Sequence, residues 1–302
     1  MPRDVAILPA RREIVIGLVC ALLTLLIWAG FAIITRHGAT TTLATVDLAF
    51  LRFAVSGAIV APWAIKYGFG DVPWPRMLAL AATAGLGFGL LAFSGFTFAP
   101  AAHGAALMPG VLPLWTAVLA ALVLGERFGP LKTLGLALVV GGIACIAAES
   151  VFSDGLEYWR GDALFLAASL SWALYTVAAR AWGVRPMQAA AIVYVVSMFL
   201  YLPVYFLFLD GRLLEAPLQD IVVHGIYQGA LATVVSIVLF TRAVAVLGAA
   251  STTMVTSAVP GVVTVAAIPL LGEVPSGLTV AGVCLVSAGV IATVLALRAR
   301  RA

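Results

Sequence analysis

Long apolar segments, separated by charged residues, Gly and Pro, follow one another along the whole chain. Each segment runs for about 20 residues, the length that an α-helix needs to cross the hydrocarbon core of a bilayer. The alternation of polar and apolar residues that is typical of a membrane barrel strand is absent. The pattern therefore predicts ten membrane-spanning helices, at roughly 14–35, 43–65, 77–97, 101–124, 130–148, 161–180, 187–209, 221–246, 250–271 and 277–297.

The composition excludes a water-soluble fold. Hydrophobic residues make up 63% of the 302 residues and charged residues only 10%, whereas soluble proteins are about 45–50% apolar and about 25% charged. Ten spans leave room only for short loops, with none for a domain outside the membrane. The predicted fold class is an all-α integral membrane protein with ten transmembrane helices.

The positive charges predict the orientation of the chain in the bilayer. They form no basic face, which argues against a nucleic-acid partner. With the N-terminus in the cytoplasm, thirteen of the 17 Lys and Arg residues fall on the cytoplasmic side. The opposite side receives Arg36, Arg160 and Arg212, and Arg52 lies within a span. The positive-inside rule thus predicts a multi-pass protein with both termini in the cytoplasm.

An internal repeat divides the chain into two halves. Leu124-Gly125-Glu126 recurs as Leu271-Gly272-Glu273. The same offset relates Pro113 to Pro260, Gly135 to Gly282 and Gly142 to Gly289, and a slightly shorter one relates Trp28 and Arg36 to Trp172 and Arg180. Each half holds five helices, so the second half must enter the membrane from the opposite side. We therefore predict two inverted five-helix repeats, 1–150 and 151–302, related by a pseudo-two-fold axis in the membrane plane.

These duplicated motifs resemble those of the EamA-type ten-helix carriers of the drug/metabolite transporter superfamily. The resemblance covers nearly the whole chain and rests on short motifs in both halves, among them Trp28-Ala29-Gly30, Leu51-Arg52-Phe53, Trp172-Ala173-Leu174-Tyr175 and the two Leu-Gly-Glu motifs. It implies export of small metabolites, commonly amino acids, across a bacterial cytoplasmic (inner) membrane. The sequence is also similar to the aromatic amino-acid exporter branch.

Two repeat-related prolines are predicted hinges. Pro113 and Pro260 lie about 15 to 18 Å into their helices, near the middle of the bilayer. Proline has no N–H, so the carbonyl groups of Pro109 and Thr256 lose a donor, and Pro109 likewise frees the carbonyl of Ala105. A static kink is the alternative for each proline.

Two further sets of side chains are candidates for binding a solute. His224, Tyr227 and Gln228 share one helical stripe and are predicted to line a cavity, with interhelical hydrogen bonds as the alternative. Aromatic residues deep in the spans are predicted walls of the pocket, with close packing as the alternative. These are Trp28, Trp115, Trp172 and Tyr175.

The ionisable residues favour a passive mechanism. Asp and Glu fall only at span ends or in loops, which disfavours coupling through a central acid. Facilitated efflux by alternating access is therefore predicted, and a proton-coupled antiporter is the alternative. Arg52 is interpreted as a structural anchor that does not pair with Asp47, with a functional role as the alternative. His103 is interpreted as a satisfied polar residue, with a proton carrier as the alternative.

The sequence lacks the common motifs of catalytic and metal sites. It contains none of the motifs HExxH, GxSxG or GxGxxG, so an enzyme is not predicted. The three cysteines lack the spacing of metal ligands, and no cofactor is expected. We predict a monomer that carries a small-molecule substrate through the lipid bilayer. A neutral or zwitterionic solute is favoured over the multidrug or nucleotide-sugar alternative, because phosphorylated solutes call for several cavity cations.

Overall fold

The computed structural model describes residues 11–124, 128–152 and 158–299, and it confirms the predicted all-helical membrane fold. Ten membrane-length helices are found in these ranges. They are α1 Arg11–Thr40, α2 Thr45–Tyr67, α3 Trp74–Phe98, α4 Ala101–Leu124, α5 Pro130–Phe152, α6 Tyr158–Ala181, α7 Pro186–Phe208, α8 Leu218–Leu247, α9 Ala249–Leu271 and α10 Gly277–Ala299. Gly125 and Glu126 of the first Leu-Gly-Glu motif, and Arg3, Arg127, Arg300 and Arg301, lie outside the described residues.

Short loops make successive helices run in opposite directions. The connection between α1 and α2 spans only residues 41–44, and that between α3 and α4 only residues 99–100. We call the end of the bundle at which α1 finishes the Thr40 end, and the opposite end the Arg11 end. Apolar side chains such as Leu26 and Phe206 cover the outside of the bundle. Hydrocarbon is the solvent that suits such a surface, so the protein is a multi-pass membrane protein.

The helix α1 extends further than the sequence predicts. The charged side chain of Arg36 marks the end of the predicted span, yet the helix continues to Thr40. Arg36 forms an ion pair with Glu273, which follows α9. A charged residue limits the apolar segment that defines a predicted span, but it does not end a helix, so the helix continues past Arg36.

Several helices depart from regular α-helical geometry. The turns widen to π-helix at Ala81–Gly87 in α3, Ile192–Val196 in α7 and Gly225–Val235 in α8. The helix α9 consists of two segments, Ala249–Thr256 and Val259–Leu271, with a turn between them. Wide turns of this kind free backbone groups within a span and are frequent at functional sites.

The helices α5 and α10 pack closely through glycine. A Cβ added to Gly135 would lie 2.8 Å from the carbonyl oxygen of Gly289, and one added to Gly142 would lie 2.7 Å from that of Gly282. The two helices run antiparallel at this contact. Under the predicted repeat Gly135 corresponds to Gly282 and Gly142 to Gly289, so each contact maps onto the other. This arrangement is consistent with a two-fold axis between the helices, and the inverted relation of the halves stays a prediction.

We expect Gly142→Ala to destabilise the protein, because the new methyl group would also lie 2.9 Å from the backbone nitrogen of Val286. Overpacking of this kind costs about 1–3 kcal/mol. The neighbouring Gly141→Ala is the matched control, since its Cβ would meet nothing closer than Leu285 at 3.8 Å. Thermal melting of both purified variants in detergent measures the difference. Equal melting temperatures would contradict the close glycine contact.

Candidate functional site

A central cavity of about 190 Å³ lies between the two halves. Its described lining residues come from α1 to α4 in the first half and from α6 to α9 in the second. No described residue of α5 or α10 belongs to the lining. The two helices that join through glycine therefore stand outside the cavity that the other eight enclose.

Aromatic rings form much of the cavity wall. The indole ring of Trp28 stacks on Phe240 with centroids 5.4 Å apart. The ring of Trp172 meets Phe88 edge to face at 4.9 Å, and Phe88 stacks against Phe31 at 6.5 Å. These mutual contacts fix the rings in place, so they present a largely preformed apolar surface to a solute.

Arg52 is the one charged side chain among the lining residues that the structure describes. It is only 4% exposed. Its guanidinium carbon lies 5.8 Å from the ring centroids of both Phe31 and Phe88, while Nε has no hydrogen-bond partner. The interpretation of Arg52 as a structural anchor stays a prediction; the sequence does not show that Arg52 lines a cavity, although a charge within a span is itself a signal of function.

As expected from the sequence, Asp47 does not form an ion pair with Arg52. Its side chain is buried and accepts hydrogen bonds from the Tyr205 hydroxyl at 2.6 Å and from the backbone N–H groups of Arg212 and Ala44 at 3.1 and 3.0 Å. Asp47 thus joins the start of α2 to the end of α7 and the loop that follows it.

The predicted aromatic site residues fall into two groups. Trp28 and Trp172 line the cavity. Trp115 is not among the lining residues and packs against the apolar core, with an indole nitrogen that is buried and unpartnered. Tyr175 is also absent from the lining and contacts the Trp172 ring at 5.4 Å. The predicted role of these four residues in binding stays a prediction.

The stripe of His224, Tyr227 and Gln228 faces α1. The amide nitrogen of Gln228 donates to the Thr35 hydroxyl at 2.7 Å, and the Tyr227 hydroxyl donates to the carbonyl of Ile27 at 3.0 Å. The imidazole of His224 lies so close to α1 that a Cβ on Gly38 would be 2.3 Å from it. The stripe is absent from the described cavity lining, and the contacts of Tyr227 and Gln228 are interhelical hydrogen bonds of the kind that the alternative describes. A part in substrate binding stays a prediction.

The two predicted hinge prolines occupy different settings. Pro113 lies inside the continuous helix α4, where Pro109 is a second internal proline. Pro260 follows the turn at Ser257 and Ala258, as the second residue of the second segment of α9, Val259–Leu271. The break in α9 is thus a visible interruption, whereas α4 is not interrupted among its described residues. Neither geometry tests motion, and both hinges stay predictions.

An ion pair joins the two halves at the Thr40 end. Arg36 Nε donates to Glu273 Oε1 at 2.6 Å, and the other carboxylate oxygen accepts from the backbone N–H of Ala101 at 2.8 Å. The two charged side chains are 16% and 20% exposed. Glu273 is therefore a largely shielded anchor for α1 and α4.

A buried polar cluster lies beside this ion pair. His103 Nδ1 is 2.8 Å from Asp162 Oδ1, and His103 Nε2 is 3.2 Å from the Thr279 hydroxyl. Glu149 accepts hydrogen bonds from Thr279 and from Ser276, and Ser150 donates to Asp162. These acids stand at span ends, as the sequence indicates, but Asp162 is buried among helices of both halves rather than solvated. The cluster can hold a proton away from water.

The described residues contain no group of three or more His, Cys, Asp or Glu side chains placed to hold a metal ion. The chemistry that the site offers is therefore that of an aromatic cavity with one cation, flanked by polar contacts that tie the two halves together.

Comparison with known proteins relates this architecture to transporters. The EamA-like transporter family matches the chain twice, over residues 15–148 and 159–295. A protein of Streptantibioticus cattleyicolor (strain ATCC 35852 / DSM 46488 / JCM 4925 / NBRC 14057 / NRRL 8057), described as a probable terminal-alkyne amino-acid exporter, is 30% identical over 199 residues. That match covers 62% of this chain and 62% of the relative, so the chain spans less than two thirds of the relative's length.

A solved structure shows the same fold. The crystal structure of a protein aligns with a TM-score of 0.58 at 21% identity, and covers 94% of this chain and 98% of that one. The family matches extend over most of the residues in both halves. Together with the ten apolar helices, they show that this chain is a multi-pass membrane protein that belongs to the EamA-like transporter family.

Proposed function

We propose that the protein exports small zwitterionic metabolites, in particular amino acids with aromatic or other hydrophobic side chains, across the cytoplasmic membrane. The observation that carries the proposal is the central cavity, walled by Trp28, Phe31, Phe88 and Trp172 and shared between the two halves. The relative that is described as a probable amino-acid exporter supports this solute class. A single chain encloses the cavity, so the proposal needs no second copy.

The size of the cavity favours a small metabolite over a drug. Pockets for drug-sized ligands hold about 300–1,000 Å³, whereas this cavity holds about 190 Å³. A multidrug carrier would need a wider space, and a nucleotide-sugar carrier would need more than one cation to meet a diphosphate. Arg52 is alone in carrying a charge among the described lining residues.

Contacts between the halves suggest how access alternates. The pair of Arg36 and Glu273 at the Thr40 end is mostly shielded. The corresponding pair at the Arg11 end, Glu13 and Arg242, is 42% and 49% exposed on its two side chains, and exposed pairs contribute little. In our proposal the Thr40 end, which faces away from the cytoplasm, opens when the shielded pair separates. Rocking of the halves, with bending at Pro113 and Pro260, exposes the cavity alternately to each side.

A proton-coupled antiporter is the second candidate. The buried cluster of His103, Glu149 and Asp162 favours it, because a protonatable group between two moving halves could couple proton release to their separation. Against it, none of these three side chains belongs to the described lining of the central cavity. We therefore propose facilitated efflux as the mechanism.

Solute counterflow in proteoliposomes tests the proposed substrate class. With labelled L-phenylalanine and a panel of other amino acids, we expect uptake to fall about fivefold or more in Trp28→Leu and Trp172→Leu, because buried aromatic contacts with a ligand are lost. Trp115→Leu is the matched comparison, with an indole outside the described lining. Uptake that falls in Trp115→Leu but not in the other two would contradict the proposed route. No counterflow of any amino acid would refute the substrate class.

Cross-linking tests the opening of the Thr40 end. In a chain with Cys20, Cys145 and Cys284 replaced by Ala, the double variant Arg36→Cys, Glu273→Cys is treated with a short cleavable thiol cross-linker. Counterflow should stop on cross-linking and return on cleavage, because the two halves can no longer separate there. Each single cysteine variant, treated in the same way, controls for modification alone. Unchanged transport by the cross-linked protein would show that this end need not open.

An imposed pH gradient separates the two mechanisms. We expect net efflux of a transported amino acid from proteoliposomes to be unchanged by the gradient, since no acid lines the described part of the central cavity. Accumulation of the solute against its own gradient, driven by pH and lost in Asp162→Asn, would instead establish antiport through the buried cluster.

A further inference from the structure

We propose that Arg52 binds the carboxylate of the transported solute, and that the cavity thereby selects solutes with a carboxylate over amines without one. This inference rests on the proposed function, because it assigns a role within the same cavity. It names a specificity-determining residue and a required chemical group, which the family membership does not supply.

Arg52 has no counter-charge among the described residues. Three other ionisable side chains that are buried or shielded from solvent have polar partners. Asp47 accepts from Tyr205, Asp162 lies against His103, and Arg36 pairs with Glu273. Arg52 is 4% exposed, its Nε has no hydrogen-bond partner, and it takes part in none of the ion pairs found among the described residues. A buried cation with no anion is costly in a medium of low dielectric constant, so the site is one that an anionic ligand completes.

A further argument is the way in which Arg52 is held. Two aromatic rings, Phe31 and Phe88, lie at equal distances of 5.8 Å from its guanidinium carbon. Cation–π attraction stabilises the charge in the empty cavity. The rings accept no conventional hydrogen bond, so the planar set of N–H donors stays available for the two oxygens of a carboxylate. A structural anchor would instead use those donors on neighbouring carbonyl or carboxylate oxygens.

The cavity also offers an acceptor for the ammonium group of an amino acid, on α4. Ala105 and Pro109, both of α4, belong to the same lining. Pro109 cannot donate to the carbonyl of Ala105, and that oxygen is thus a candidate acceptor for an ammonium group. A zwitterion would place its carboxylate at Arg52 on α2, its ammonium at α4 and its side chain against the aromatic wall. The lining offers no described carboxylate to hold an amine by charge.

Competition with three related probes tests the selection. L-phenylalanine, 3-phenylpropionate and phenethylamine share the phenyl group and differ in whether they carry the carboxylate, the amine or both. We expect unlabelled 3-phenylpropionate to compete with labelled L-phenylalanine in counterflow, whereas phenethylamine should not compete. Competition by phenethylamine but not by 3-phenylpropionate would overturn the proposal.

Variants of Arg52 test the residue itself. Arg52→Met should raise the KM for L-phenylalanine by roughly 30-fold or more, since a buried ligand carboxylate loses its charged partner. Arg52→Lys keeps the charge but not the two-donor geometry, and should retain part of the affinity. The matched control is Arg212→Gln, which removes the same charge from an exposed side chain and should leave the KM unchanged.

Stability distinguishes a binding role from a structural one. Because no described residue partners its guanidinium, Arg52→Met should melt at the same temperature as the unmodified protein or higher, even while transport is lost. A melting temperature that falls in Arg52→Met while the KM stays unchanged would establish an anchor and overturn the proposal.

The outcomes also separate this inference from the proposed function. Counterflow of L-phenylalanine that survives in Arg52→Met with unchanged KM would leave amino-acid export standing and remove the role of Arg52. If no amino acid is transported but flux of 3-phenylpropionate is present and is lost in Arg52→Met, the carboxylate site stands and the proposed substrate class falls. Transport of phenethylamine that is indifferent to Arg52 would overturn both.

Discussion

The hydrocarbon core of a bilayer supplies neither hydrogen bonds nor counter-ions, and this constraint governs most of the structure. Backbone groups form their hydrogen bonds within helices, and many polar side chains inside the bundle form contacts between helices. Gln228 reaches Thr35 on α1, Asp47 ties α2 to α7, and Glu273 holds Arg36. Arg52 has no such ion-pair partner among the described residues, and in our proposal the carboxylate of the transported solute takes that place.

Different helices have different structural roles. Close glycine contacts bring the backbones of α5 and α10 together, and ion pairs join the halves at the two ends of the bundle. Between these ends, an aromatic cavity lies between the halves, and hydrogen bonds such as that of Tyr227 to Ile27 join them elsewhere. Such an arrangement can hold its core shape while the ends separate in turn, which is what our proposal of alternating access requires.

The sequence predicts the ten helices because length and apolarity alone decide whether a segment can span the membrane. The cavity was harder to predict, because helical spacing shows which residues share a face but not which neighbour that face meets. The stripe of His224, Tyr227 and Gln228 was identified as a face, yet it meets α1 and not the central cavity. Arg52 was recognised as a charge in a span, but its aromatic neighbours, Phe31 and Phe88, come from two other helices and have no signature of their own. Likewise, the burial of Asp162 depends on the approach of α4 and α5 to α6, which no local pattern encodes.

The exclusion of α5 and α10 from the cavity wall has a consequence for how such a protein can diversify. In our proposal, substitutions that change the transported solute fall on the eight helices that line the cavity, and the glycine contacts between α5 and α10 are unaffected by them. Because the effects of distant substitutions are usually additive, selectivity can change at the cavity wall without a change at the contact between α5 and α10. A scaffold of this kind can acquire new cargo by exchanging a few wall residues and keep its architecture intact.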